Sequence, residues 1–575
     1  MEQPRIGVYV CWCGSNIAKI VDVEAVAKDI ATLPDVIISK DYKYMCSDPG
    51  QDMIISDIKK YKLNRIVVSA CSPRIHELTF RKALENAGLN SYMFQMANIR
   101  EHVSWVHIDK EFATRKAKSL ITAAVNRVRF HEELAKRFVE INPATLVIGG
   151  GISGLTAALN IAEAGHQVYL IEKTEHLGGQ AANIDLSFAD LSPVRQIVID
   201  KIKLAEKHKN IEIFCSTTIE NIFGYIGNFN TTVKKDKKEH LLKFGNIIVA
   251  TGLKNYNPGE IDEYGYKKFP DVITSYEFEK QLLSGKIETS SGNTPSDITI
   301  IHCVGSRNTK YHSYCSRTCC ATALKYANQI RSALPESNIY ELYADMRAFE
   351  KGCEELYTGT SRKGVMFLMF DQEKGLPVVK QNKEHHTSMR IEMHELLSGE
   401  DIAINTDMVI LMTAVEAQDD ARDVAHLAGI SKCGNDFFIE KHPKLDPVAT
   451  TTDGVFIVGT CQGPKGISDS ISQSYAATAR VLASIAKGSA EVEVITAETN
   501  EELCCGCQTC ISVCPYTAIT FDEEKNVSVV NEAICKGCGT CGSTCPTGAI
   551  RSRHFTDKQI LSQIEGLMSN MPELV

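Results

Sequence analysis

Of the 21 cysteines in this 575-residue chain, sixteen fall into four groups of four whose spacing suggests redox chemistry. Near the C-terminus, Cys504-x2-Cys507-x2-Cys510-x3-Cys514-Pro515 is followed by Cys535-x2-Cys538-x2-Cys541-x3-Cys545-Pro546. In runs of this form four thiolates bind a [4Fe–4S] cluster, and the fourth cysteine of each run ligates the other cluster. Cys504, Cys507, Cys510 and Cys545 are therefore expected to hold one cluster, and Cys535, Cys538, Cys541 and Cys514 the second. Paired CxxC motifs also bind Zn²⁺, but two complete runs, each closed by Cys-Pro, favour clusters. Cys505 is a spare beside Cys504.

A third group sits where a nucleotide should bind. Ile298–Ile301 reads as a buried parallel strand and Ala321–Ala327 as the helix that follows it. A nucleotide-binding unit would join them by a short glycine turn, resting pyrophosphate on the helix N-terminus. Here the junction carries Cys303, Cys315, Cys319 and Cys320. Four cysteines at that point suit a [4Fe–4S] cluster, so hydride exchange with NAD(P)H is not expected there. Lys325, five residues after Cys320 on the same helix, is placed to reach a flavin, where its charge would favour anionic reduced forms. The competing reading is a surface lysine.

A true glycine loop lies upstream. Leu146–Ile148, Gly149-Gly150-Gly151-Ile152-Ser153-Gly154 and Leu155 give strand, G-x-G-x-x-G turn and helix start. The second strand, Val168–Ile171, ends in Glu172, 23 positions after Gly149, where an acid binds the adenosine ribose. FAD is preferred over NAD for three reasons. Lys173 and a second glycine turn, Gly178-Gly179-Gln180, follow Glu172. Ile247–Val249 runs into Ala250-Thr251-Gly252. Gly454–Gly459 resembles the late flavin strand, with Gln462 and Gly463 just beyond it. The order resembles thioredoxin-reductase-like flavoproteins with two dinucleotide domains.

The fourth group is N-terminal. Gly7–Val10 precedes Cys11-x-Cys13-Gly14, a helix is expected over Asp22–Leu33, Cys46 sits in a loop, and Asn64–Ala70 runs into Cys71. Cys11 and Cys71 each follow a strand, where open α/β sheets place ligands. The four are expected to converge on a further cluster, against the alternative of inert buried thiols. Cys215, Cys353, Cys433, Cys461 and Cys505 form no set and are read as structural. His385-His386 reads as solvated loop.

The elements that position these groups must be several domains, since the length allows roughly three to five. Five spans are expected: 1–142, an N-terminal α/β iron–sulfur domain; 143–290, the first part of an FAD domain; 291–400, an inserted second Rossmann domain with the central cysteines; 401–490, the rest of the FAD domain; and 491–575, a two-cluster ferredoxin domain with a C-terminal helix. Phe555, Ile560, Ile564 and Leu567 share one face of that helix, expected to pack on its own protein or to dock a partner. The fold class is α/β: a two-Rossmann FAD flavoprotein with iron–sulfur domains at both ends. Net charge is −9 with no basic stripe, which argues against nucleic acid. No apolar run reaches the about 18 residues of a membrane span. No signal peptide is read, and the cysteine load suits a reducing cytoplasm.

Taken together, Cys11-x-Cys13-Gly14, Cys71-Ser72-Pro73-Arg74, Asn98–His102, the IGGGISG loop, the Cys303–Cys320 motif and Gln462-Gly463-Pro464-Lys465 strongly resemble the A-type subunits of heterodisulfide reductase over nearly the whole chain. The resemblance implies an oxidoreductase component with FAD and four [4Fe–4S] clusters that performs flavin-based electron bifurcation or confurcation. Implied partners are B- and C-type subunits, a small iron–sulfur subunit of hydrogenase type, ferredoxin, and a hydrogenase, formate dehydrogenase or methylenetetrahydrofolate reductase, with a homodimer inside the larger complex. Many archaeal members carry an extra ferredoxin insert in the stretch equivalent to Phe223–Phe244. Here that stretch has no cysteine and reads as a hairpin with the turn Lys234-Lys235-Asp236-Lys237-Lys238, a short form. A plain electron-relay scaffold and an NAD(P)H-dependent iron–sulfur flavin reductase are the alternative readings.

Overall fold

The computed structural model describes residues 3–188, 190–235, 238–382 and 388–569. His385-His386, and Asp236 and Lys237 of the lysine-rich turn, lie outside the described residues. The chain forms two compact units, 1–138 with 491–575 and 139–490.

In the first unit, Val36–Tyr42, Ile6–Cys11, Arg65–Ala70 and Phe94–Asn98 pair in that order as an all-parallel sheet. Ile6–Cys11 and Arg65–Ala70 are buried at every position, as strands covered on both faces must be. The expected first helix is Val23–Ile30, capped by the Asp22 carboxylate on Ala25 N at 3.0 Å. The C-terminal segment folds as two short hairpins, Ile519–Asp522 with Val527–Val530 and Ala497–Thr499 with Ile550–Ser552. It ends in the helix Asp557–Met568, packed along Lys110–Val128. The packing face is not the apolar one. Gly566 comes so close that a Cβ there would stand 2.6 Å from Ala123 Cα, and Gln559 is buried, donating to Phe130 O at 2.9 Å. Ile560 and Ile564 remain 40% and 48% exposed.

The second unit holds two parallel five-stranded sheets. The first runs Val455–Ile457, Asn246–Val249, Thr145–Ile148, Val168–Ile171, Ile211–Phe214; the second runs Val272–Thr274, Met408–Thr413, Asp297–Val304, Asn338–Tyr343, Met366–Met369. The second sheet draws strands from outside the expected span 291–400. The reason lies in the crossover: Leu253–Asn255 leads out of the first sheet and Val415–Ala417 leads back, and the two pair antiparallel. Phe223–Tyr225, Asn228–Lys235 and Lys238–Phe244 form the expected antiparallel hairpin structure.

Candidate functional site

The glycine loop forms an open cradle. Gly149, at φ 107°, turns the strand Thr145–Ile148 toward the helix Ile152–Glu163. A Cβ on Gly154 would lie 1.9 Å from the Gly149 carbonyl oxygen, whereas one on Gly151 would meet nothing within 4 Å. Backbone at the helix head thus faces open space, as pyrophosphate binding requires. The buried Glu172 carboxylate accepts from Gly150 N at 2.7 Å and from Thr174 N and Oγ1, each at 2.8 Å. Gly178 N donates to Gly150 O at 2.8 Å, which brings the second glycine turn, with exposed Gly179 and Gln180, against the first. Lys173 turns outward to Asp420 at 2.9 Å.

Two later segments close the same cradle. Ala250 N donates to Ile148 O at 2.8 Å, and Gly252 at φ 78° follows Thr251. The buried Thr251 hydroxyl has no partner among the described residues. Gly459 lies against Ser153, whose Oγ would be 2.3 Å from a Cβ at that position. Beyond it, Gly463 N donates to Thr460 O at 3.1 Å and Gln462 Nε2 to Glu440 at 2.8 Å. Lys465, which the sequence reading did not place at the site, donates to Gly459 O at 2.9 Å and Gln462 Oε1 at 2.7 Å. Its membership of the Gln462–Lys465 run was the available signal. Open glycine backbone, a fixed acid and an unpartnered buried hydroxyl fit a dinucleotide cofactor.

Lys325 is not a surface lysine. Its Nζ is buried, ion-paired with Glu279, and donates to Leu186 O at 3.2 Å, six residues beyond Gln180. Asp185 N donates to the other Glu279 oxygen at 3.3 Å. Burial pulls the Lys325 pKa down and Glu279 opposes it. Sequence reading had no signal for Glu279, 46 residues away.

The central cysteines gather where Asp297–Val304 ends and the helix Cys319–Ala333 begins. Cys303 adopts φ 59° and Gly305 φ 81°, so the backbone turns sharply. Cys303, Cys319 and Cys320 are buried neighbours; hydrogen bonds from the Cys319 thiol favour thiolate at the other two. Cys315 Sγ accepts from Arg317 N at 3.3 Å and lies beside Arg347, which also reaches Cys320. Tyr314 Oη donates to Val415 O at 2.8 Å and Val415 N to Ser316 Oγ at 3.2 Å, stapling the loop to the crossover. Also missed was His302, fully buried, 2.9 Å from the fully buried Glu341. Burial works against its charged form, but the Cys320 and Glu341 side chains push its pKa up to about 10. A histidine in the otherwise apolar run Ile298–Val304 was the signal.

In the first unit, Cys11 Sγ accepts from Cys13 N at 3.3 Å and Met45 N at 3.4 Å. Cys13, Cys46 and Cys71 lie within electrostatic range of one another, beside Arg100. Arg100 Nη1 donates to Cys13 Sγ at 3.4 Å. Burial raises Cys71 to about 11, with Arg100 pulling down. At the other end of the chain, one small cavity is lined by Cys504, Cys507, Cys510 and Cys545, and a second by Cys514, Cys535, Cys538 and Cys541. Backbone N–H groups point at the thiols: Ala497 N to Cys535 at 3.4 Å and Ala518 N to Cys514 at 3.3 Å. Among the described residues no three His, Cys, Asp or Glu side chains meet closely enough to share one metal ion. A [4Fe–4S] cluster asks for four thiolates instead, and each cysteine group supplies four. Cys505 is exposed beside the first cavity, and Cys461 is buried with Sγ 3.2 Å from Val458 O.

Fold and cradle define an oxidoreductase with a flavin-binding redox domain joined to a [4Fe–4S] dicluster domain. Residues 143–301 match the family described as pyridine nucleotide-disulphide oxidoreductase, and residues 503–549 match the 4Fe-4S dicluster domain. One of the A-type iron–sulfur subunits of CoB--CoM heterodisulfide reductase from Methanopyrus kandleri is 39% identical over 98% of this chain and 99% of its own. The A-type subunit of the H(2):CoB-CoM heterodisulfide,ferredoxin reductase of Methanothermobacter marburgensis is 39% identical over 99% and 98%. The chain belongs to the family of heterodisulfide reductase A-type subunits. Its alignment with the M. kandleri relative runs over 652 positions against 575 residues here, so that relative carries segments this chain lacks. Among solved structures, T. acidophilum thioredoxin reductase aligns over 60% of this chain and 100% of its own at 14% identity, TM-score 0.41. No helix among the described residues is long and apolar enough to cross a membrane.

Proposed function

We propose that this chain is the FAD- and iron–sulfur-carrying component of a heterodisulfide-reductase-type complex, exchanging electron pairs with one partner and single electrons with separate cluster chains. One observation carries the reading: a single helix, Cys319–Ala333, bears two cluster cysteines in its first turn and, at Lys325, a buried charge against the segment that follows the flavin cradle. A flavin takes up electrons in pairs and gives them up singly, and clusters carry one each. The protein's part is to hold and tune. Gly149–Gly154, Glu172 and Thr251 would bind the FAD; Lys325 would set charge near its ring; Cys303, Cys315, Cys319 and Cys320 would hold the adjacent cluster. Cys11, Cys13, Cys46 and Cys71 would hold another, and the C-terminal quartets two more, four in all. The names of the relatives favour B- and C-type subunits and ferredoxin as partners. The cysteine load favours a reducing cytoplasm.

A relay without bifurcation is the second reading. It is favoured by the stretch Phe223–Phe244, which is built of three strands with no cysteine and so offers no extra electron exit there. An NAD(P)H-dependent reductase fits less well, because cysteines replace the glycines of the second phosphate loop. Anaerobically purified protein should carry one FAD and about sixteen irons per chain, and should not oxidise NADH or NADPH at an enzymatic rate. About eight irons, or saturable flavin bleaching by NADPH, would overturn the reading.

A further inference from the structure

His302 and Glu341 form a buried polar pair inside an apolar sheet. Both side chains are 0% exposed, and their neighbours Ile300, Ile301 and Leu342 are fully buried as well. Strand pairing fixes the pair: Ile301 stands opposite Leu342, so His302 lies diagonal to Glu341, with Nε2 2.9 Å from Oε2. The imidazole also lies beside the Cys320 side chain. Yet Nδ1 closes no hydrogen bond among the described residues, and Glu341 Oε1 has none either.

Stability does not account for such a pair. A buried donor without an acceptor costs about 1–3 kcal/mol, and replacing a buried ion pair by apolar side chains of similar volume is often neutral or stabilising. A metal-site role does account for it. A carboxylate that grips one ring nitrogen fixes the orientation of the other, as in the outer shells of metal centres. Here the free nitrogen belongs to a residue adjoining Cys303 and beside Cys320. Hydrogen bonds to cluster sulfurs are among the determinants of cluster potential. A donor there stabilises the extra negative charge of the reduced state.

We propose that His302 is a positioning residue of the central cluster, held by Glu341 so that Nδ1–H donates to the Cys320 sulfur and raises the reduction potential of that cluster. The inference rests on the reading of Cys303, Cys315, Cys319 and Cys320 as cluster ligands. EPR-monitored redox titration of the full-length holoprotein tests it. The central signal is first identified as the one that Cys319→Ala removes; if Cys319→Ala removes none, the cluster reading itself fails. With that signal in hand, His302→Leu should titrate at more negative potential than wild type, with the signals of the other clusters unmoved. His302→Gln, which restores an N–H donor of similar reach, should move the potential back toward wild type. An unshifted His302→Leu overturns the proposal, as does a His302→Gln shifted as far as His302→Leu. Loss of the central signal in both variants would mark the pair as structural and overturn it equally.

Discussion

Lys325 donates its Nζ proton to the Glu279 carboxylate where the two side chains keep only 2% and 4% of their surface, and the same Nζ reaches Leu186 O at 3.2 Å. A charge this deeply buried needs its counterion. It also sits on the helix that begins with Cys319 and Cys320, so a shift of this lysine is coupled to the cluster end of the helix.

Glu279→Gln leaves the Lys325 charge buried without its partner, a loss of about 3–5 kcal/mol that urea unfolding should register. Lys325→Met removes the positive charge and should make the flavin potential more negative, because a nearby cation favours the reduced, anionic form. Spectroelectrochemical titration reads that shift. Identical flavin potentials in wild type and Lys325→Met would make the pair purely structural.

How much of this was legible in advance depended on the range of the interaction. Chelation by four thiolates imposes short, rigid spacings, so the cysteine groups stood out in the sequence. The glycine turn and Glu172 did so too, since one βαβ unit fixes their separation. Glu279, Glu341 and the crossover strands could not be read that way. Their partners are distant in sequence, and only tertiary packing brings Glu279 to Lys325 or Leu253–Asn255 to Val415–Ala417. The C-terminal helix misled for a different reason. Its apolar face predicts burial there, but the small Gly566 allows the opposite face to pack closer.

The same helix region contains an acid-sensitive contact. His131 and His554 stack with ring centroids 4.4 Å apart, and Arg127 donates to His554 O at 2.9 Å. Burial first, then His554, Arg127 and Arg65, push the His131 pKa down to about 3, while the hydrogen bond with Tyr92 O opposes them. The folded state therefore keeps this ring neutral where an unfolded chain, titrating near 6.5, binds a proton. Stability from this group is complete above the unfolded value and is lost as pH falls from there toward 3. Thermal melting should drop across that window in wild type and drop less in His131→Phe. Parallel melting curves would remove His131 as a cause.

Cys319→Ala tests the central electron path. Flavin binding should survive, because the cradle is built from Gly149–Gly154, Glu172 and Gly459, all on the first sheet of the second unit. One cluster should vanish, since Cys319 joins Cys303 and Cys320 in one buried group. The flavin should still take electron pairs from a strong chemical reductant. Delivery onward to the clusters of Cys504–Cys545 should fall sharply, because the nearest one-electron acceptor is gone. Stopped-flow absorbance combined with freeze-quench EPR of the C-terminal clusters measures that delivery. Reduction of those clusters at the wild-type rate in Cys319→Ala would show that electrons leave the flavin by another way and that the central cysteines only brace the fold.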